Sequence, residues 1–394
     1  MTFGVTLGMT LAANWTLILA AMSAGAWVAL LAFRGGFWLC RERDDVGEPK
    51  APASWPTVVA VVPARNEADV VALAVGSLRR QDYLGAFRII LVDDGSTDGT
   101  ADRALETAGK HPLEVIAGAP LERGWTGKLW AQNQGVARAA ALEPAYLWLT
   151  DADIFHDPAT LRRLVGRAEA GGLVLTSLMA RLTVRSGWER MLIPPFVFFF
   201  DMLFPFAWVN NPRRKTAAAA GGCMLVNTSA LQAAGGLAAI RGRIIDDCAL
   251  AEILKRRGPI WLGLTRRIQS LRPYQGLNEI GAMVARSAYA QLGYSPVVLA
   301  GVVLAMGLVF AAPALIAIFD HGPAKWLALA TWIAMIFAMR PILRLYRIWV
   351  MWGVALPLAG ALYGVFTLVS AVQSWRGRGG VWKGRAQDAP SLAT

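Results

Sequence analysis

Apolar and polar positions fall into three textures along the chain. Residues 7–33 form an apolar run with no charged side chain, long enough to cross a bilayer as a helix. Arg34, Arg41 and Arg43 come directly after it, so the positive-inside rule predicts an N-terminus outside and a cytoplasmic continuation. No Lys or Arg precedes the run, so the basic start of a secretory signal is missing. Residues 48–56 (EPKAPASWP) predict a Pro-rich linker. From residue 57 the pattern becomes short apolar runs alternating with helical spacing. TVVAVVPARNEADVVALAVGSL predicts a buried strand, a turn and a helix, with Asn66 and Asp69 as N-cap and acidic N3 residue. Residues 88–92 predict a second strand, 93–99 a turn, and 101–108 a helix closed by Gly109. LEVIAGA is a third strand, 128–141 a third helix, and Tyr146 begins a fourth strand. Such alternation predicts a largely parallel sheet with right-handed crossovers. Residues 173–184 predict another strand.

Beyond it the pattern is less regular. Residues 191–209 (MLIPPFVFFFDMLFPFAWV) are aromatic, contain Asp201 and are broken by Pro194, Pro195 and Pro205. They predict a membrane-surface segment, with a buried helix pair as the alternative and NNPRRK (210–215) at headgroup level. Residues 217–226 (AAAAGGCMLV) predict a small-residue turn into a strand. Residues 296–319, 324–339 and 349–372 are apolar again. Arg340, Arg344 and Arg347 lie before the last run, and Arg376, Arg378, Lys383 and Arg385 after it. Both basic groups favour the cytoplasm, so either 349–372 re-enters on one side or one group lies outside. The expected organisation is a membrane segment 1–47, a linker 48–56, a catalytic α/β domain 57–290 with an interfacial insert 190–215, a membrane region 291–375 and a basic tail 376–394.

Composition sharpens this. The chain is 55% hydrophobic and 17% charged, with a formal net charge of +12; soluble domains carry about a quarter charged residues. Basic loops beside anionic headgroups account for the charge. No basic helix or aromatic-basic motif appears, so nucleic acid is not an expected partner. Cys40, Cys223 and Cys248 include no CxxC pair, which argues against a disulfide framework or a zinc site.

Candidate chemistry centres on YLWLTDADIFHD (146–157). Side chains at i and i+2 of an extended chain share a face, so Asp151 and Asp153 are expected to leave the fourth strand on one side. Two adjacent carboxylates resist joint ionisation; Mg²⁺ or Mn²⁺ with a substrate diphosphate relieves this. The bland alternative is a strand-to-helix turn, with Asp157 capping ahead of Pro158. A second pair, Asp246 and Asp247, opens a helix in IIDDCALAEIL, where capping and the helix dipole are the bland account. No G-x-G-x-x-G or G-x-x-x-x-G-K-[ST] occurs, which excludes those nucleotide fingerprints.

In order and spacing, VVPARNE (61–67), VDDGSTDGT (92–100), GWTGKLWAQNQG (124–135), LTDADI (149–154), AAGGCMLVNTSAL (219–231) and IDDCAL (245–250) resemble a family 2 glycosyltransferase. The resemblance covers residues 57–289 and implies a GT-A fold, α/β and Rossmann-like with a mainly parallel sheet, here flanked by transmembrane helices. The membrane segments, the aromatic insert and GRGGVWKGR resemble the narrower group of bacterial hopanoid-biosynthesis-associated glycosyltransferases. By this resemblance Pro63, Arg65 and Glu67 line the nucleotide, and Asp93 or Asp94 accepts from uracil and ribose. Their bland role is capping, which Ser96 or Thr97 could fill. Lys128 lies near the diphosphate, Asp153 with Asp151 holds Mg²⁺ or Mn²⁺, and Asp247 acts as base, with Asp246 replacing the usual Glu. The implied reaction is inverting transfer from a nucleotide sugar, a UDP-sugar foremost, to a membrane lipid such as a hopanoid, at the cytoplasmic face of the bacterial inner membrane. Processive members carry Q-x-x-R-W after the base; MVARSAY (283–289) keeps only Arg286, which favours single transfer. Arg272 and Tyr274 are possible acceptor-side residues, with surface packing the alternative. The rival readings are sugar transfer to a polyprenyl phosphate, a polysaccharide synthase, and a nucleotide-sugar-binding scaffold without catalysis.

Overall fold

The computed structural model describes residues 2–380; residues 381–394 of the basic tail, with Lys383 and Arg385, fall outside them. The chain forms two compact units. One is helical (residues 2–41, Val184–Pro205 and Tyr274–Arg376), and the other is built on a sheet (Glu42–Thr183, Phe206–Pro273 and residues 377–380).

Eight strands make the sheet: β1 (Val58–Ala64), β2 (Phe87–Asp93), β3 (Leu113–Ala117), β4 (Tyr146–Thr150), β5 (Ile154–His156), β6 (Leu175–Arg181), β7 (Cys223–Asn227) and β8 (Ile260–Ser270). Their order is β3-β2-β1-β4-β7-β6-β8-β5. β1 and β4 are buried along their whole length, which is why they read as unbroken apolar runs. β1 to β4 run parallel, as do β6 and β8, whereas β7 is antiparallel to both neighbours and β5 to β8. The sheet is therefore mixed but mostly parallel. The chain winds from β1 outward through β2 to β3, then returns to place β4 on the other side of β1. A reversal of this kind leaves a crevice at the carboxyl ends of the two central strands, where ligands bind. Helices Val71–Arg79, Gly127–Ala139 and Thr160–Gly171 match the pattern of apolar positions.

Several local expectations change. β8 was not expected: Arg266 and Arg267 interrupt its apolar pattern, and Arg267 is drawn to Asp44 and Asp157, at 3.8 and 3.6 Å. Asn66 does not cap the first helix of the sheet unit. It takes a left-handed conformation (φ 50°) and accepts from Thr97 N at 2.9 Å. Ser96 and Thr97 do not cap the next helix, Thr100–Leu105, either; Asp98 accepts from Thr100 N at 3.1 Å. That helix ends before Gly109.

In the helical unit the aromatic stretch forms one helix, Gly187–Leu203, running through Pro194 and Pro195. It is buried rather than lying on a surface. Phe198 packs on Phe37 and Phe199 on Phe310, with ring centroids 5.0 and 5.1 Å apart. Arg34 donates to Met202 O and Leu203 O at 2.9 and 3.0 Å, satisfying carbonyls that a helix end leaves open. Burial of so many rings outweighs the ~3 kcal/mol cost of an internal proline. Among the described residues five helices are long and apolar enough to cross a membrane: Trp15–Phe33, Gly187–Val209, Pro296–Phe319, Pro323–Leu345 and Val350–Trp375.

Candidate active site

The acidic stretch after β4 is a turn, not extended chain. Ile154 N donates to Asp151 O at 3.3 Å, and Leu271 N donates to Asp153 O at 2.8 Å. The chain must reverse here because β5 pairs antiparallel with β8. The expected i, i+2 geometry therefore does not hold, yet both acids still face one charged cluster. Thr150 and His156 bracket the turn, with Thr150 Oγ1 to His156 Nε2 at 2.9 Å. The Thr150 hydroxyl donates to Gly222 O at 2.8 Å, so the imidazole carries its proton on Nε2. Burial pushes the His156 pKa down to about 3, so this ring stays neutral and structural. Asp157 Oδ1 accepts from Ala159 N at 3.1 Å, in a turn ahead of Thr160–Gly171.

Lys128, in the first turn of Gly127–Ala139, reaches Asp151 Oδ1 at 2.7 Å and Asp246 Oδ2 at 3.9 Å. Asp246 and Asp247 open the helix Asp246–Lys255. Asp247 accepts from Gly221 N at 2.9 Å and from its neighbour Cys248 N at 2.7 Å. Gly221 permits this approach: a Cβ there would lie 3.2 Å from Lys128 Nζ and 3.4 Å from Asp247 Oδ2. Glu67, Asp153 and Arg272 form the adjoining part of the cluster. Arg272 is hydrogen-bonded to Glu67, and its Nε lies 3.8 Å from Asp153 Oδ2. Arg65 and Asp94 stand beside each other at 3.6 Å, with Arg65 also donating to Asp94 O. Asp93 accepts from Ser96 N at 3.1 Å. Pro63 is buried in β1, two residues past the last pair with β4, so it interrupts no ladder on that side.

The electrostatics reflect crowding. Burial raises the Asp151 pKa, Lys128 opposes this, and Asp153 adds to it. Burial and then Glu67 raise Asp153, against Arg272. Burial disfavours the Lys128 ammonium, but Asp151 and Asp246 more than offset it, so its pKa is raised. Burial and Asp246 push Asp247 up to about 6. Asp246 Oδ2 is shielded from solvent and has no hydrogen-bond partner.

Among the described residues, no three carboxylate, imidazole or thiol groups converge on a metal position. Mg²⁺ at phosphate sites needs only one or two carboxylates, the remaining ligands coming from phosphate and water. Asp151 and Asp153, held above the usual carboxylate range, fit that partial donor set. Cys40, Cys223 and Cys248 are all buried free thiols. The sequence flagged Arg272 only for the acceptor side. It left out Thr150 and His156, whose pairing needs the fold to bring β5 back against β8.

Residues 59–235 match the family model described as Glycosyl transferase family 2. Over 122 residues the chain is 31% identical to an undecaprenyl-phosphate mannosyltransferase of Micrococcus luteus, covering 30% of this chain and 47% of the relative. The chain thus spans about half the length of that curated relative, whose name carries a polyprenyl phosphate and not a hopanoid. Among solved structures, the mannosyltransferase PcManGT from Pyrobaculum calidifontis, in complex with GDP-Man and Mn²⁺, aligns with a TM-score of 0.55 at 18% identity, covering 91% of this chain and 99% of that one. Residues 59–235 of the sheet unit thus match a family 2 glycosyltransferase model, and the fold is GT-A-like.

Proposed function

We propose that the chain moves a sugar, with inversion, from a nucleotide-sugar donor to a membrane lipid phosphate, a polyprenyl phosphate being the acceptor class. The carrying observation is that Asp151 and Asp246 face Lys128 while Lys128 and Asp247 meet at Gly221, beyond the carboxyl end of β4. The Micrococcus luteus relative favours a lipid phosphate over the hopanoid expected from sequence, and no structural feature favours the hopanoid. Five long apolar helices support a membrane acceptor. Arg34, Arg41 and Arg43, after the first apolar run, support a sheet unit on the cytoplasmic side.

In this reading Arg65, Asp93 and Asp94 hold the nucleoside, with Pro63 shaping the strand end beneath it. Lys128 holds the diphosphate. Asp151 and Asp153 would hold Mg²⁺ or Mn²⁺, which would supply positive charge to the departing diphosphate. Asp247 takes the acceptor's proton as its oxygen attacks the anomeric carbon from the face opposite the diphosphate. Asp246 keeps Asp247 basic enough for that task. A phosphate monoester has a second pKa near ~6, so Asp247 removes only the last proton of the acceptor.

The test uses purified chain in lipid, supplied with polyprenyl phosphate and labelled UDP- and GDP-sugars. A lipid product that releases its sugar in mild acid is the glycosyl phosphate expected. An acid-stable glycoside, or transfer only to a hopanoid, overturns the acceptor class. Asp247→Asn is expected to lose ~10²–10⁴-fold in rate while keeping nucleotide affinity; wild-type turnover in that variant removes Asp247 from the base role.

A further inference from the structure

Two stretches of the sheet unit follow closely on apolar helices. Glu42 lies nine residues beyond Trp15–Phe33, and Asn210 comes immediately after Gly187–Val209. The fold ties both stretches to one strand. Leu264 N of β8 donates to Glu42 O at 2.8 Å, and Asp44 N donates to Leu264 O at 3.1 Å. The Asn210 side chain accepts from Leu262 N at 2.7 Å, and donates to Leu262 O at 3.0 Å and to Glu42 Oε2 at 2.8 Å. Residues 211–215 (NPRRK), which come next, are all exposed. Lys255 holds this loop at both ends. Its ammonium donates to Trp208 O and Val209 O ahead of the loop, at 3.3 and 2.7 Å, and to Thr216 O behind it at 2.6 Å. Those bonds use all three donors that a lysine has.

Arg213, Arg214 and Lys215 stand on this clamped base. Arg214 lies over the Trp208 ring, 5.1 Å from its centroid. Among the described residues, no carboxylate pairs with any of the three cations. An exposed basic run is ordinarily a solvated face, and its charge is screened within about a Debye length. That role needs no fixed backbone. Here two partly buried polar side chains, Asn210 and Lys255, fix the loop, so it loses less conformational freedom when it binds a ligand. The positive-inside rule puts the stretch after Trp15–Phe33 at the cytoplasmic membrane surface, and the bond from Asn210 to Glu42 brings the loop to the same level. The anions met there are phospholipid headgroups, whose phosphate oxygens match the donor fork of a guanidinium. We propose that Arg213, Arg214 and Lys215 form a site for the headgroup of one anionic phospholipid, with Asn210 and Lys255 as its positioning residues. The inference is independent of the sugar-transfer reading; it needs only that the apolar helices sit in a bilayer.

The experiment measures lipid binding, not turnover, on the full chain in detergent. The protein is offered equal amounts of phosphatidylglycerol and phosphatidylcholine, and retained lipids are counted by native mass spectrometry. Wild type should keep one phosphatidylglycerol over phosphatidylcholine by ~10-fold or more, since each basic side chain beside anionic lipid contributes about fivefold. The triple variant Arg213→Gln, Arg214→Gln, Lys215→Gln should lose that preference. The double variant Arg376→Gln, Arg378→Gln removes two exposed cations elsewhere and should keep it. The deciding variants leave all three loop cations in place. Lys255→Met and Asn210→Ala should each lower the preference ~2–10-fold, the effect of having to order one or two side chains on binding; a diffuse positive surface would not register either change. If Lys255→Met fails to fold, Asn210→Ala carries the comparison. Equal preference in wild type and the triple variant overturns the site. Wild-type preference in the folded positioning variants shows diffuse charge rather than a built site, and overturns it too. If polyprenyl phosphate displaces the phosphatidylglycerol from wild type and binds the triple variant poorly, the loop serves the acceptor and the proposal fails.

Discussion

Asp247 is held where its protonation state matters near neutral pH. Burial first and Asp246 second raise its pKa to about 6. The ionised form accepts a proton, so the rate at saturating donor should fall as pH drops through about 6, roughly tenfold per unit, and level off above it. A phosphate acceptor titrating near ~6 would give a similar limb; Asp246→Asn separates the two. Removing the neighbouring charge lowers the Asp247 pKa, so the limb should move to lower pH. A limb that stays in place belongs to the acceptor. Gly221→Ala offers a second handle, because its Cβ would press on the flexible end of Lys128 at 3.2 Å and on Asp247 at 3.4 Å. Its expected effect is a fall in kcat with little change in unfolding temperature; unchanged kcat would mean the site gives way freely. At this scale the two acid pairs stand out as charges beside apolar runs, whereas Lys128 was marked only by the family resemblance. Arg272 did not stand out, because nothing near it in sequence marks its partner, Glu67, which lies on a different strand end.

Among the elements, helix Gly187–Leu203 shows how a strong start signal can outweigh helix breakers downstream. Ser186 and Glu189 form a reciprocal cap: Glu189 N donates to Ser186 Oγ at 3.2 Å, and Ser186 N donates to Glu189 Oε2 at 2.7 Å. The buried Glu189 carboxylate also accepts from Arg185 N at 2.7 Å and Tyr274 N at 2.8 Å. Ser186→Ala should cost about 1 kcal/mol. Glu189→Ala removes the acceptor of three backbone donors and should cost ~3 kcal/mol or more. Chemical unfolding of the purified protein checks the ranking, and equal losses would mean Glu189 acts only as a cap. As sequence, the prolines and Asp201 break residues 191–209 into a surface segment or a helix pair, and the tertiary burial of the aromatic rings instead carries one helix through Pro194 and Pro195. β8 was hidden for the opposite reason: its charges pair with residues distant in sequence, so its pattern does not look like a strand. The parallel core was the easiest to read, since a strand buried on both faces shows as an uninterrupted apolar run.

On the scale of the whole chain, the basic groups on either side of residues 349–372 set opposing demands, and the helical unit reconciles them. Helix Pro323–Leu345 folds back on the end of Pro296–Phe319, with Ala324 and Ala328 packed near Ile316 and Ala317. The chain then reverses again through Val350–Ala355 before Leu356–Trp375. Gly353 comes so close to the middle of Pro323–Leu345 that a Cβ would lie 3.2 Å from Ile336 O, and Trp332 Nε1 donates to Val354 O at 3.1 Å. That indole bond matters, because Val354 lies in the short 3₁₀ turn Val350–Ala355, whose carbonyls are only partly paired within the turn. Helix Leu356–Trp375 passes Phe310 at Gly360 and ends beside Tyr289, where Ser370 Oγ accepts from Tyr289 N at 3.0 Å and Trp375 Nε1 meets Tyr289 Oη at 3.2 Å. Tyr289 lies just before Pro296, so the last helix ends on the side where the first C-terminal span begins. These contacts favour a path in which residues 350–375 dip inward and return, and the expected outcome is that Arg344, Arg347 and Arg376 share one side. The sequence posed this choice but could not make it, because re-entry depends on contacts between helices and not on hydropathy. In intact cells, an impermeant maleimide should label His321→Cys, in the loop between the two long spans, and should leave Arg347→Cys and Arg376→Cys unlabelled until the membrane is opened. The native cysteines are buried and contribute little background. If Arg376→Cys labels from outside together with His321→Cys, the last helix crosses completely and the re-entrant reading is wrong.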